Sequence, residues 1–126
     1  MEQYGRFRKF KTSTGKQVIG GKNAEQNEEL VKKFIGKSNI IMHTAKPGSP
    51  FCVLLRRLKP TKNELKETAI FCAKYSRDWK KNKKNVEVHI FSGKNVYKGE
   101  DMKKGTFGVK KIKKILVKKE ELENEK

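Results

Sequence analysis

The part of the chain best suited to chemistry is Gly20-Gly21-Lys22-Asn23, followed directly by Ala24-Glu25-Gln26-Asn27. The glycine pair ends an extended segment, and Asn23 then opens an amphipathic helix. The Asn23 side chain can cap that helix, with Gln26 as the reciprocal partner in a capping box. Exposed backbone N–H groups at the start of a helix attract anions. Lys22, Asn23 and Gln26 are therefore candidate contacts for an anionic ligand.

The charge balance indicates what that anion is. The 126 residues include 32 Lys and Arg against 14 Asp and Glu, which gives a formal net charge of +18. A charge of this size fits RNA, DNA or an anionic membrane surface as the partner. No apolar run approaches the ~20 residues of a membrane span, and no signal peptide opens the chain. We therefore expect a cytoplasmic, nucleic-acid-binding chain that makes no membrane contact.

The residue types that hold metals are few and badly spaced. Cys52 and Cys72 lie in apolar stretches, which predicts buried thiols in a reducing compartment. Together with the two distant histidines, His43 and His89, they lack the spacing of a zinc site. We expect neither a metal nor another cofactor.

The elements that must position these residues form an α+β domain. The pattern predicts a mixed, mainly antiparallel sheet of short strands and hairpins, packed with two main helices. A hairpin is expected within residues 7–19, with Gly15 in its turn. One helix is predicted over 24–35. The other begins at a capping box of Thr61 and Glu64, and its apolar stripe continues to Trp79.

Short apolar or alternating runs predict the remaining strands, over residues 40–43, 52–55 and 86–91 and as a strand pair within 106–117. The length predicts one domain, residues 1–117. Residues 118–126 are predicted to be a charged, flexible tail. Phe10 and Trp79 are expected in the core, and His89 is expected to be exposed.

His43 is the residue that most invites a catalytic interpretation. A general base needs an orienting partner, and no Asp or Glu lies between Asn39 and Pro60. We therefore favour a structural role or an RNA contact for His43 over catalysis. An RNA-modifying or hydrolytic enzyme centred on His43 remains an alternative.

Two further segments could contact phosphates. Lys46, Gly48 and Ser49 can present an ammonium group, backbone N–H groups and a hydroxyl to an anion, although a tight turn between strands explains the same residues equally well. Arg56 and Arg57 directly follow a buried strand, and they are the arginines best placed for forked contacts with a phosphate backbone.

The N-terminal segment interleaves basic and aromatic residues. Arg6, Arg8 and Lys9 can hold phosphates, while Tyr4 and Phe7 can stack on unpaired bases. Burial of Phe7 in the core is the alternative.

Several blocks, in their order along the chain, resemble the RNA-binding module of NFACT proteins, which act in ribosome-associated quality control. The blocks are Phe7-Arg8-Lys9-Phe10, Thr14-Gly15, Gly20-Gly21-Lys22-Asn23-Ala24-Glu25-Gln26-Asn27, Ile40-Ile41-Met42-His43, Pro47-Gly48-Ser49, Ala73-Lys74-Tyr75-Ser76 with Trp79, Val86-Glu87-Val88, Gly93-Lys94-Asn95-Val96-Tyr97-Lys98 and Met102-Lys103-Lys104-Gly105-Thr106-Phe107-Gly108-Val109. The resemblance implies an α+β, non-catalytic RNA-binding module for tRNA or ribosomal RNA, with the ribosome as a candidate partner. The full-length proteins carry further domains that do not fit into 126 residues, so a stand-alone module is expected.

The chain also departs from this family. Members often place Asp four residues before the histidine, where Asn39 stands here, and some have an acidic residue in place of Ala45. These differences argue against an acid–base site around His43. Because charge alone does not separate RNA from DNA, a DNA-binding or chromatin-associated protein is the other alternative.

Overall fold

The computed structural model describes residues 4–55 and 59–124. The strands are β1 (Arg8–Lys11), β2 (Gln17–Gly20), β3 (Ile40–Thr44), β4 (Cys52–Leu54), β5 (Val86–Ser92), β6 (Val96–Tyr97), β7 (Gly108–Val109) and β8 (Lys113–Val117). The helices are α1 (Ala24–Lys32), α2 (Lys62–Lys74), α3 (Arg77–Asn82) and α4 (Lys119–Glu123), with a short 3-10 helix over Gly93–Asn95. Six strands form one sheet in the order β1-β2-β4-β3-β5-β8, and β6 pairs with β7. Every pairing among the described strands is antiparallel, and the predicted α+β class is confirmed.

The sheet separates two apolar layers because its side chains alternate between the two faces. On one face α2 and α4 pack over the strands, and this layer includes both cysteines as buried free thiols. On the other face α1 packs over the strands together with β6. Trp79 is buried as predicted, and Phe10 is partly buried, stacked on Phe71 with 5.1 Å between ring centroids.

The start of α1 differs from the predicted capping box by one residue. The Asn23 carboxamide oxygen accepts from the Gln26 backbone N–H at 2.8 Å, so the predicted cap is confirmed. The Gln26 carboxamide, however, accepts from the backbone N–H of Lys22 at 3.0 Å and not from that of Asn23. The helix ends at Lys32, and turns then continue to Gly36, which has a φ of +85°.

The second predicted helix is two helices. Its capping box is confirmed, since Thr61 accepts from the Glu64 N–H at 3.1 Å and Glu64 accepts from the Thr61 N–H at 2.8 Å. The helix nevertheless ends at Lys74, and Ser76 caps α3 by accepting from the Trp79 N–H at 3.1 Å. Serine competes with helical hydrogen bonding through its own hydroxyl, and this break turns the chain at the α2–α3 corner.

The C-terminal part also differs from expectation. The two strands predicted within residues 106–117 exist, but β7 pairs with β6 while β8 pairs with β5. Within the predicted tail, α4 packs Leu122 into the core at 4% exposure, so the folded part extends past Val117. The Glu121 carboxylate lies 3.1 Å from the Lys66 ammonium of α2. Over the described ranges, no helix combines the length and apolar character needed to cross a membrane.

Candidate nucleic-acid interface

An open cleft of about 850 Å³ lies where the structure brings six parts of the chain together. These parts are β1 at Arg8, the β2–α1 junction, the segment from β3 to β4, the α2–α3 corner, β5 at His89 and Phe91, and residues 104–112. Of the predicted site residues, the cleft includes Arg8, Lys22, Asn23, His43, Gly48 and Ser49. We call this feature the basic cleft.

At the β2–α1 junction, packing explains both the buried Asn27 side chain and the glycine at position 21. The amide of Asn27 is buried beneath it, accepting from the Phe51 N–H at 3.1 Å. A Cβ atom on Gly21 would lie 2.1 Å from the Asn27 carboxamide oxygen. Glycine is therefore required here by Asn27, and the predicted anion-binding role for the Gly21 backbone is not needed to explain it.

The segment between β3 and β4 is held by its own hydrogen bonds. The Ser49 hydroxyl accepts from the Thr44 N–H at 3.0 Å and donates to the Pro50 carbonyl at 3.1 Å. Gly48 has a φ of +93°, and its carbonyl accepts from the Arg77 N–H at 2.7 Å. Gly48 and Ser49 thus shape this loop and attach α3 to it, which favours the tight-turn interpretation of these two residues.

Five basic side chains and no acidic one line the described part of the cleft. They are Arg8, Lys22, Arg77, Lys80 and Lys104. Within the described residues, none of the five has a carboxylate at ion-pair distance. The Arg8 guanidinium instead lies over the Tyr75 ring, 4.2 Å from its centroid. Cations without a carboxylate neighbour keep their full charge for an anionic ligand.

Aromatic rings line the cleft between these cations. The His43 ring stacks on Phe51 at 4.2 Å between centroids, and the Phe107 ring meets Phe51 edge-on at 5.5 Å. The Nδ1 atom of His43 lies 2.7 Å from the Thr44 carbonyl oxygen. Burial is the main cause that lowers the His43 pKa, to about 4, so the imidazole is neutral at physiological pH.

The cross-strand neighbour of His43 is His89, which also lines the cleft. His89 is half-buried, and its Nε2 lies 3.0 Å from the Glu87 carboxylate, so the prediction of a merely exposed histidine is wrong. No carboxylate contacts His43 among the described residues. The geometry therefore provides no acid to orient His43 as a general base.

The segment that carries Lys104 and Phe107 is held against α1 by an ionic cluster. The Lys98 ammonium donates to Glu28 at 2.8 Å, and to the carbonyls of Lys103 at 2.6 Å and Thr106 at 2.7 Å. The Gly105 N–H donates to the same Glu28 oxygen at 2.7 Å.

Desolvation raises the pKa of Glu28. The hydrogen bonds from Lys98, Gly105 and Lys32 outweigh it and lower that pKa to about 2. An ionised Glu28 therefore fixes one side of the basic cleft.

Among the described residues, the other predicted contacts are not part of the cleft lining. Arg6 makes a two-pronged ion pair with Glu29 at 2.7 Å, and its carbonyl accepts from the Gln26 side chain at 3.3 Å. The Lys46 ammonium lies 3.7 Å from Asp78, and Lys9 is on the edge strand β1. Arg56 and Arg57 lie outside the described residues.

Sequence reasoning missed several lining residues, namely Tyr75, Arg77, Lys80, Lys104 and Phe107. The pattern placed residues 75–80 on a single helix, where they indicated no site. Only the family resemblance marked some of these positions, in the blocks around Tyr75 and Phe107.

Comparison with known proteins relates the chain to a protein family, to an archaeal relative and to a solved structure. A family model described as the NFACT protein RNA binding domain matches residues 6–111. The Archaeal Rqc2 homolog aRqcH of Methanocaldococcus jannaschii is 32% identical over 111 residues, which is 82% of this chain and 16% of that protein. The C-terminal part of the fibronectin/fibrinogen-binding protein from Streptococcus suis has the same fold, with a TM-score of 0.81 at 21% identity, covering 98% of this chain and 49% of that one.

Proposed function

Because the chain belongs to the family of NFACT RNA-binding domains, we propose that its basic cleft binds structured RNA, either tRNA or ribosomal RNA. The match of the family model to residues 6–111 confirms the family resemblance that was inferred from the sequence. The observation that carries the proposal is the cleft lining, in which five basic side chains surround aromatic rings without an acidic residue among the described positions.

The cations and the aromatic rings of this lining match the phosphate and the base of an unpaired nucleotide. The cations attract phosphates and release counterions, which supplies affinity that depends on salt. The rings of Tyr75 and Phe107 can stack on bases. If each of the five cations meets one phosphate, log K should fall with log[salt] with a slope of roughly −4.

We further propose that the domain binds RNA without changing it. The neutral His43 ring hydrogen-bonds a backbone carbonyl and packs on Phe51, and this environment supports a contact more than proton transfer. Nucleoside mass spectrometry of RNA incubated with the protein tests the alternative. A modified nucleoside formed by the wild type and absent with His43→Gln would establish an RNA-modifying enzyme.

We propose that the domain acts in translation, as part of ribosome-associated quality control in the cytoplasm. Support comes from the family and from the Archaeal Rqc2 homolog, although the chain spans only 16% of that relative. A DNA-binding role is the competing proposal, and displacement of labelled tRNA by unlabelled duplex DNA would test it. Duplex DNA that competes as well as tRNA would favour the DNA-binding proposal.

A charge-matched pair of variants tests the proposed site. Lys22→Glu with Lys80→Glu alters two exposed cleft lysines, whereas Lys62→Glu with Lys94→Glu alters two exposed lysines outside it. Both double variants change the net charge by the same amount. The cleft variant should lose tRNA affinity strongly in fluorescence anisotropy, and its salt slope should be smaller by about 2.

The control variant should lose much less affinity and keep its salt slope close to that of the wild type. Equal losses of tRNA affinity in the two variants would mean that affinity depends on the net charge of the protein and that the cleft is not the binding site. Melting temperatures of both variants establish that each remains folded.

A further inference from the structure

The basic cleft contains a hydrogen-bond acceptor, and this is unexpected in a site for a polyanion. Phosphate oxygens of RNA accept hydrogen bonds and never donate them. The donors of RNA are the ribose 2′-hydroxyl and the amino and imino groups of the bases. Any RNA group that such an acceptor binds therefore belongs to a sugar or a base.

His43 is that acceptor. Its Nδ1 lies 2.7 Å from the Thr44 carbonyl oxygen, which only accepts, so Nδ1 carries the ring proton. The neutral ring then leaves Nε2 as an acceptor, and within the described residues Nε2 has no partner. Stacking on Phe51 at 4.2 Å holds the ring in this orientation.

The other side-chain acceptors of the cleft are largely used within the protein. The oxygens of Asn23, Asn27 and Ser49 each accept from a backbone N–H. The Nε2 atom of His89 is engaged with the Glu87 carboxylate at 3.0 Å. Among the amide and imidazole side chains that line the described part of the cleft, His43 thus differs in keeping an acceptor atom without a protein partner.

We propose that Nε2 of His43 accepts a hydrogen bond from a ribose 2′-hydroxyl and thereby selects RNA over DNA. This inference rests on the proposed RNA-binding function. A 2′-hydroxyl is present on every ribonucleotide, whatever its base, and it lies between the phosphate and the base. A nucleotide with its phosphate on the cleft cations and its base on the aromatic rings would bring this hydroxyl between them. A base amino group has the same donor chemistry and is the competing source.

Fluorescence anisotropy with three short single-stranded probes distinguishes these two sources. All three probes have the same base sequence, and the deoxyribose probe also carries uracil. One carries ribose, one 2′-deoxyribose and one 2′-fluororibose, which keeps an RNA-like sugar but has no donor. The wild type should bind the ribose probe about threefold to tenfold more tightly than the other two, the range that one net hydrogen bond supplies.

Variants of His43 complete the test. His43→Phe keeps a ring on Phe51 but has no acceptor, so its affinity for the ribose probe should fall to that for the deoxyribose probe. His43→Gln offers an amide oxygen and should keep most of the ribose preference.

A ribose preference unchanged in His43→Phe would overturn the inference, and so would a 2′-fluoro probe that binds the wild type as tightly as ribose. Equal losses for the ribose and deoxyribose probes in His43→Phe would assign the donor to a base and also overturn it. If His43→Phe does not fold, the 2′-fluoro comparison on the wild type decides. Failure of the wild type to bind any RNA would instead refute the proposed function.

Discussion

Replacing Gly21 by alanine should destabilise the fold through a steric clash at one buried amide. An added Cβ would lie 2.1 Å from the Asn27 carboxamide oxygen and 3.0 Å from the Asn27 backbone nitrogen. Asn27 is 8% exposed, and its side-chain oxygen accepts a hydrogen bond from the N–H of Phe51 at 3.1 Å. To make room, Asn27 must move away from Phe51.

The expected cost follows from these contacts. An unsatisfied buried N–H costs about 1–3 kcal/mol, and forcing an extra methyl group into a packed site costs about 1–3 kcal/mol. Alanine also lowers the conformational entropy of the unfolded chain, and this stabilises the fold by about 0.4–1 kcal/mol. The free energy of unfolding should therefore fall by roughly 1–6 kcal/mol, against the ~5–15 kcal/mol of a typical domain.

Urea unfolding followed by circular dichroism measures this cost. Gly99→Ala is the matched control, because its new Cβ would meet atoms no closer than 3.4 Å, and its stability should stay the same or rise by up to about 1 kcal/mol. Gly21→Ala should cost clearly less when it is added to Asn27→Ala than when it is made alone, since the carboxamide oxygen is then gone and only the 3.0 Å approach to the backbone nitrogen of residue 27 remains. A Gly21→Ala protein of wild-type stability would refute this reasoning, and lost RNA affinity at that stability would show that Gly21 serves ligand approach instead.

Acid should destabilise the domain in two steps, as urea titrations at successive pH values would show. The pKa of His43 is lowered from 6.5 to about 4, so stability should fall by roughly 3 kcal/mol as the pH drops through that window. Glu28, with its pKa lowered from 4.5 to about 2, contributes above pH 4.5 and loses its contribution as the pH falls toward 2. Glu28→Gln should make this second step smaller and leave the part that belongs to Glu64, whose pKa is also lowered to about 2. Lys98→Met should speed amide hydrogen exchange over residues 103–107, because the three bonds of the ammonium are lost. The sequence predicts that Arg56→Ala with Arg57→Ala weakens RNA binding in anisotropy while the melting temperature stays unchanged.

The elements that depend on neighbouring residues were predictable from the sequence. The cap at Asn23 and the capping box at Thr61 follow from residue types three positions apart, and both are present. The alternation in residues 86–91 correctly predicted β5. Local chemistry therefore indicated the fold class and most element starts.

The site depended on contacts between distant parts of the chain. The bond from the Arg77 N–H to the Gly48 carbonyl brings α3 to the cleft, and no local pattern predicts it. Ser76 continued an apolar stripe in sequence but acts as a cap in the structure. Likewise, β8 is separated from β5 by two strands along the chain, so local propensity could not reveal its partner.

Photo-crosslinking maps the RNA-binding surface most directly. The intact protein would be irradiated with tRNA carrying photoreactive uridines, digested, and searched by mass spectrometry for peptides that carry a nucleotide. We predict crosslinks at Tyr75 and Phe107, the cleft aromatics that are partly exposed. Crosslinks confined to α2 residues 62–70 or to α4, which lie outside the cleft, would contradict the proposal that the basic cleft binds RNA.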